Sequence, residues 1–212
     1  MKPIKQFLSR LLESSIVLPN LNSALSEQEI PEVDAILGTN SYDSIWDAVK
    51  ETLDDKFYEN FHTLTGLPHV DTKRTITTGG HFAYLKIAEG CNKNCTYCVI
   101  PSVRGRYRSV PLEELVASAK ELVAGGVKEL ILVAQETTLY GVDLYGEKSL
   151  HKLLDALNEI PGLFWIRIMY CYPEEIYEEL IDAMIRDKNR YQIKKHCFLC
   201  LMLKQTLQSL II

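Results

Sequence analysis

Three cysteines fall within eight residues, Cys91, Cys95 and Cys98, in the spacing Cys-x3-Cys-x2-Cys. Thiolates this close together on an irregular stretch suit a compact metal centre, because the ligands of a 4Fe–4S cubane must wrap around it. Three ligands would leave the fourth iron open to a small chelating molecule. Two plainer readings stand beside this one. A structural zinc ion needs four tetrahedral ligands, so His69, His81 or Cys171 would have to complete the set. A group of reduced, buried thiols is the other.

The elements that must position these residues follow a rhythm of apolar run, loop and helical stripe from Gly79 onward. Phe82 to Ala88 reads as a first strand that runs directly into the cysteines. Leu112, Leu115, Val116, Ala119, Leu122 and Val123 make a helical face, opened by Pro111 in the first turn and stopped by Gly125-Gly126. Glu113 and Glu114 suit the positive end of its dipole. Leu130 to Ala134 is continuously apolar, as a parallel strand buried on both faces should be. Leu150, Leu153, Leu154, Leu157 and Ile160 predict a second helix ended by Pro161-Gly162, and Leu163 to Met169 a third strand. Pro173 then opens a helix with Ile176, Tyr177, Leu180, Ile181, Met184 and Ile185 inward. The order is βαβαβα: an α/β fold with about three βα units of a parallel barrel or open parallel sheet.

Before these units, Val33 to Leu37 reads as a short strand and Tyr42 to Leu53 as a helix, the end of another small α/β unit. The expected domains are residues 1–62, a linker at 63–80 rich in glycine, the core at 81–190, and an atypical tail at 191–212 with no further βα unit.

Composition bounds the function. Hydrophobic residues make up 47% and charged residues 24%, which excludes a disordered chain. A formal charge of -5 gives no global sign of nucleic-acid binding. Ile4, Phe7, Leu8, Leu11 and Leu12 have the spacing of an amphipathic helix, and Arg10 and Glu13 interrupt any signal-peptide core. No apolar run approaches the ~20 residues of a membrane span. A cytoplasmic protein is expected, in which six cysteines are not a disulfide framework.

Tyr84 to Cys91 (Tyr-Leu-Lys-Ile-Ala-Glu-Gly-Cys), Cys95 to Pro101 (Cys-Thr-Tyr-Cys-Val-Ile-Pro), Arg104-Gly105 and Arg108-Ser109 together resemble the radical S-adenosylmethionine methylthiotransferases. Leu132 to Thr138 and Tyr140 to Gly146 resemble the branch that acts on a ribosomal protein rather than the tRNA branch, as do Trp165 to Arg167 and Tyr170 to Pro173. The resemblance runs from about Ile30 to Asn189. It implies that Cys91, Cys95 and Cys98 ligate a 4Fe–4S cluster whose open iron chelates S-adenosylmethionine. It further implies reductive cleavage to a 5′-deoxyadenosyl radical, and methylthiolation of the β-carbon of an aspartate in a small-subunit ribosomal protein. A flavodoxin or ferredoxin is the implied electron donor. No membrane and no direct nucleic-acid contact is implied.

Further positions follow. Tyr97, between two ligands, is placed to lie against adenine, or else merely packs as a loop aromatic. Gln135, Glu136 and Thr137 end the second strand, where parallel barrels gather their sites; they suit a ribose or an α-amino group, or they cap and turn the chain. Arg167 interrupts an apolar strand and needs an anion, either the cofactor carboxylate or an acidic side chain. Arg104, Arg106 and Arg108 guide a substrate or form a solvated loop. Cys171 reads as a core thiol, and Cys197-x2-Cys200 as accidental.

The family holds a second, auxiliary cluster with three cysteines of an N-terminal domain, and no cysteine precedes Cys91 here. The resemblance therefore implies a chain truncated at both ends. The readings it leaves open are a full methylthiotransferase, a fragment that only cleaves S-adenosylmethionine, and a non-catalytic iron–sulfur or zinc module.

Overall fold

A computed structural model describes residues 33–67, 79–186 and the backbone of 191–193. These divide into two compact units that do not follow chain order. Residues 33–67 and 90–106 form one; residues 79–89, 107–186 and 191–193 form the other.

In the first unit, β1 (Ala35–Leu37) pairs in parallel with β2 (Tyr58–Asn60), in the register Ala35 to Tyr58. A 3-10 turn at Tyr42–Ser44 and helix α1 (Ile45–Leu53) connect them. The predicted strand and helix are present but shorter, and β2 was not foreseen, since Tyr-Glu-Asn carries no apolar alternation. Asn40 donates to the carbonyls of Thr63 and Gly66 at 2.9 and 3.1 Å, so the start of the expected linker is tied to this unit. The rest of that linker, with His69, lies outside the described residues, as do residues 1–32 with their predicted helix, and Cys197 and Cys200.

The second unit is built on a four-stranded parallel sheet of order β3-β6-β7-β8, and it has the form of part of a βα barrel. Its strands are β3 (Phe82–Lys86), β6 (Glu129–Val133), β7 (Trp165–Ile168) and β8 (Tyr191–Ile193). A two-residue strand β4 (Ala88–Glu89) lies between β3 and β6 in the chain and pairs antiparallel with β5 (Arg108–Ser109). The predicted first strand is thus broken at Ile87, whose N–H donates to the carbonyl of Val133 at 2.9 Å.

Helices α3 (Leu112–Ala124), α5 (Leu150–Asn158) and α6 (Glu178–Arg186) supply the crossovers. Short helices α2 (Ile100–Arg104) and α4 (Val142–Tyr145) decorate loops. Three expectations need correction. Pro111 caps α3 with extended ψ of 142° and does not sit in its first turn. The chain after Pro173 makes a 3-10 turn, and an extended Ile176 (ψ 134°) delays the helix to Glu178. As a result Ile185 faces solvent, and Leu180 and Ala183 take the buried positions. Finally, Tyr191–Ile193 is no tail: it adds a fourth strand parallel to β7, with Ile166 opposite Tyr191.

All three crossover helices pack on one face of the sheet. Ala83, Leu85, Leu130, Leu132, Ile166 and Ile168 meet Leu115, Ala119, Leu122, Leu153, Leu154, Leu157 and Leu180 in one core, all below a tenth exposed. Burying a side chain of this size contributes about 1.5–3 kcal/mol. The core therefore fixes the strand ends, from which the chain departs into its polar loops.

Candidate functional site

Both ends of the cysteine segment are pinned. On the way in, Ala88 and Glu89 pair with Ser109 and Arg108. Above that, Cys91 N–H donates to the Gly105 carbonyl at 3.2 Å. Gly90 makes this close approach possible: its φ is 76°, and a Cβ there would lie 2.2 Å from the Arg106 carbonyl oxygen and 2.5 Å from that of Gly105. Only glycine has both the φ and the space. The result is a loop with a closed neck, carrying all three cysteines.

Within it, Cys91, Cys95 and Cys98 are free thiols of intermediate exposure. A turn joins two of them, with Cys98 N–H donating to the Cys95 carbonyl at 3.0 Å. Lys93 N–H donates to the Cys91 sulfur at 3.4 Å, which fixes the orientation of that side chain in the loop. Helix α2 follows and is tied down by Arg104 on the Tyr42 hydroxyl (2.6 Å) and by Thr39 on the Val103 carbonyl (2.7 Å). In kind, this donor set fits an iron–sulfur centre. Among the described residues, no three His, Cys, Asp or Glu side chains converge closely enough to hold a metal ion. The loop carries the three thiols together without bringing them to one point. Tyr97 is 89% exposed, so it does not pack as a loop aromatic would.

The second unit holds the other predicted positions. Gln135 donates to Glu89 at 3.3 Å, and its own carbonyl oxygen is buried with no hydrogen-bond partner among the described residues. Glu136 and Thr137 are fully buried, and they hydrogen-bond to the chain around them. Glu136 accepts from the N–H and hydroxyl of Thr138 and from the Tyr172 N–H at 3.4 Å. Thr137 donates through its N–H to the Tyr170 carbonyl (3.1 Å) and through its hydroxyl to Met169 (2.8 Å), and it also meets the buried Cys171 sulfur at 3.2 Å. Together they hold Tyr170 in a left-handed conformation, φ 57°, at the C-terminal end of β7. That backbone costs a non-glycine residue about 1–3 kcal/mol.

Arg167 has an acidic side chain as its anion. Its Nε and an Nη meet the Glu129 carboxylate at 2.7 and 2.5 Å, on the sheet face away from the helices. Arg108 is not part of a solvated loop either; burial lowers its pKa, and Glu89 and Asp143 oppose that shift. Sequence reasoning missed the residues that fasten the loop: Gly90, whose position directly before a cysteine was the available signal, and Asp143 and Ser109, for which only the shared motif spoke. Among the described residues, no helix is long and apolar enough to cross a membrane.

Comparison with known proteins adds four findings. The profile of the Radical SAM superfamily matches residues 85–194. The chain is 60% identical over 156 residues to the ribosomal protein uS12 methylthiotransferase RimO of Lachnoclostridium phytofermentans, spanning 74% of this chain and 36% of that one. To the RimO of Clostridium tetani it is 48% identical over 162 residues, 76% of this chain and 36% of the relative. The chain thus spans about a third of the length of these relatives. The radical S-adenosylmethionine methyltransferase TsrM of Kitasatospora setae aligns structurally over 53% of this chain and 21% of its own, with 21% identity and a TM-score of 0.40.

Proposed function

Since the chain belongs to the radical SAM superfamily, we propose that Cys91, Cys95 and Cys98 hold a 4Fe–4S cluster in a methylthiotransferase that modifies an aspartate of ribosomal protein uS12. The observation that carries this reading is the 60% identity to a uS12 methylthiotransferase across 74% of the chain, a stretch that includes the cysteine loop with its glycine neck. When bound, the cluster supplies the electron for reductive cleavage of S-adenosylmethionine, having received it from a donor such as flavodoxin or ferredoxin.

The chain's own residues bind and orient. Cys91, Cys95 and Cys98 would hold the cluster through their sulfurs, and the Lys93 N–H, which donates to the Cys91 sulfur, orients that one. Because the neck is fixed at Gly90 and Gly105, ligation needs only the inner part of the loop to draw together. Exposed Tyr97 offers an aromatic face to adenine, and the buried Gln135 oxygen accepts from an ammonium or hydroxyl donor. Glu136 and Thr137 act one step back, by shaping the strand ends. The Arg167 guanidinium stays with Glu129 and leaves the cofactor carboxylate to other donors.

Residues 1–62 are read as part of an N-terminal domain, and 63–80 as its linker to the core. Sulfur donation is a separate demand, since none of these 212 residues before Cys91 is a cysteine. The expected result is that this chain, reconstituted anaerobically with iron and sulfide, holds one cubane and releases 5′-deoxyadenosine under dithionite. A peptide of the ribosomal target should gain no methylthio mass. Alanine at Cys91, Cys95 or Cys98 should abolish both iron and cleavage. Tetrahedral zinc in place of iron would sink the radical reading, and a methylthiolated peptide would show that sulfur donation resides in these residues.

A further inference from the structure

The segment that leaves the cysteine loop, residues 107–112, is fastened at nearly every residue by one stretch, 136–145. Tyr107 donates its hydroxyl to the Glu136 carbonyl at 2.8 Å, Tyr140 donates to the Val110 carbonyl at 2.8 Å, and Leu112 N–H donates to the Tyr145 hydroxyl at 3.0 Å. At the centre is Asp143. Its two carboxylate oxygens accept from the N–H (2.8 Å) and hydroxyl (2.6 Å) of Ser109, while the same hydroxyl accepts from Gly141 N–H at 2.9 Å.

Ser109 is only 2% exposed and is the strand partner of Ala88, so this one residue ties the outgoing limb of the loop to the incoming one. The turn that presents Asp143 is equally constrained. Gly141 has φ 89°, and a Cβ there would lie 2.6 Å from that of Ser149. None of these side chains belongs to the predicted cofactor set. The Tyr140 to Gly146 motif, singled out in the sequence without a role, is engaged here.

We infer that Asp143, acting through Ser109, is a positioning residue that clamps the base of the cysteine loop and thereby sets how firmly the loop keeps a metal cluster. Charge-assisted hydrogen bonds are the strong ones, and two converge on a single buried residue. Losing them frees the paired limbs to separate while leaving the helix-packed core intact. Local opening of this kind is governed by few contacts and need not track global stability. The statement about cluster retention rests on Cys91, Cys95 and Cys98 being the ligands; the statement about loop mobility does not.

The test uses the full chain as wild type, Asp143→Ala, Asp143→Asn and Ser109→Ala. Ile160→Val serves as a control that removes a core methylene elsewhere, Ile160 being 3% exposed. Hydrogen exchange of the metal-free proteins should be about tenfold faster in residues 91–106 for Asp143→Ala and Ser109→Ala, the scale set by losing charged hydrogen bonds. Asp143→Asn, which keeps one acceptor oxygen, should fall between. Ile160→Val should leave that loop unchanged at any shift in its urea midpoint. In reconstituted protein, loss of iron to a chelator should accelerate in the same order. Equal exchange in all variants, or a loop rate that follows the urea midpoint in the control as well, overturns the clamp. If the wild type takes up no iron while loop exchange responds as described, the ligand reading fails and the clamp stands.

Discussion

An alanine at position 90 would have to avoid two backbone carbonyl oxygens at 2.2 and 2.5 Å while adopting a φ of 76°. Neither demand can be met by a rotamer change, because the obstacles are backbone and the added atom is Cβ. The Gly90→Ala protein should therefore lose about 1–3 kcal/mol from the strained φ alone, with more from the forced shift of the neck. Urea unfolding measures the loss, and iron content after reconstitution should fall with it. A variant of wild-type stability and full iron would show that the neck opens freely. The same residue-level economy explains Glu136 and Thr137. Fully buried beyond a strand end, they make their hydrogen bonds with the chain nearby: Glu136 accepts from Thr138 and the Tyr172 N–H, and Thr137 donates to the Met169 and Tyr170 carbonyls. Gln135, one residue earlier in the loop after β6, keeps a buried oxygen free of any described hydrogen-bond partner.

At the scale of elements, tyrosines join the loops to the helices. Burial raises the phenols of Tyr107 and Tyr140, and it pushes that of Tyr177 up to about 12, where the His151 backbone N–H donates to its oxygen. Each is an acid whose folded pKa stands above its ordinary value of 10.0, so the neutral form belongs to the folded state. Their stabilisation is complete below pH 10 and is lost as pH rises through the folded values. Unfolding free energy measured in urea should hold steady up to that point and then fall between about pH 10 and 12. Tyrosinate absorbance should appear together with unfolding. Early, independent ionisation of all three would contradict their burial.

Across the sheet unit, one face carries every crossover helix; on the other, Ile131 of the central strand is buried at 6% exposure, while the side chains around it have little cover among the described residues. Tyr84 and Trp165 are each 45% exposed on that second face, beside the Glu129–Arg167 pair. Parallel sheets are ordinarily covered on both faces, and exposed aromatic surface of this kind drives association. The chain should self-associate at high concentration, and replacing Tyr84 and Trp165 with serine should shift it toward monomer in light scattering. Unchanged monodispersity in wild type and variant alike would mean that this face is covered in solution.

How far the sequence reached can be judged on particular residues. Leu150, Leu153, Leu154 and Leu157 announced their helix because a 3.6-residue period survives in any helix that packs on a core, and all four are fully buried. Leu130 to Leu132 announced a strand buried on both sides for the same kind of reason. The cysteine spacing marked candidate ligands along the chain, because ligand chemistry depends on residue type. What sequence could not decide was where polar side chains spend their hydrogen bonds. Arg167 needed an anion, and only the pairing of β6 with β7, which brings Glu129 within 2.7 Å, shows one beside it. Tyr191–Ile193 had no pattern of its own and became a strand because β7 offered an open parallel edge. Asp143 and Ser109 stand 34 residues apart and meet only once β5 and the Gly141 turn are folded. Periodicity and residue chemistry are local and can be read in one dimension. Partner choice among long-range polar groups is settled by backbone pairing, and so belongs to the tertiary structure.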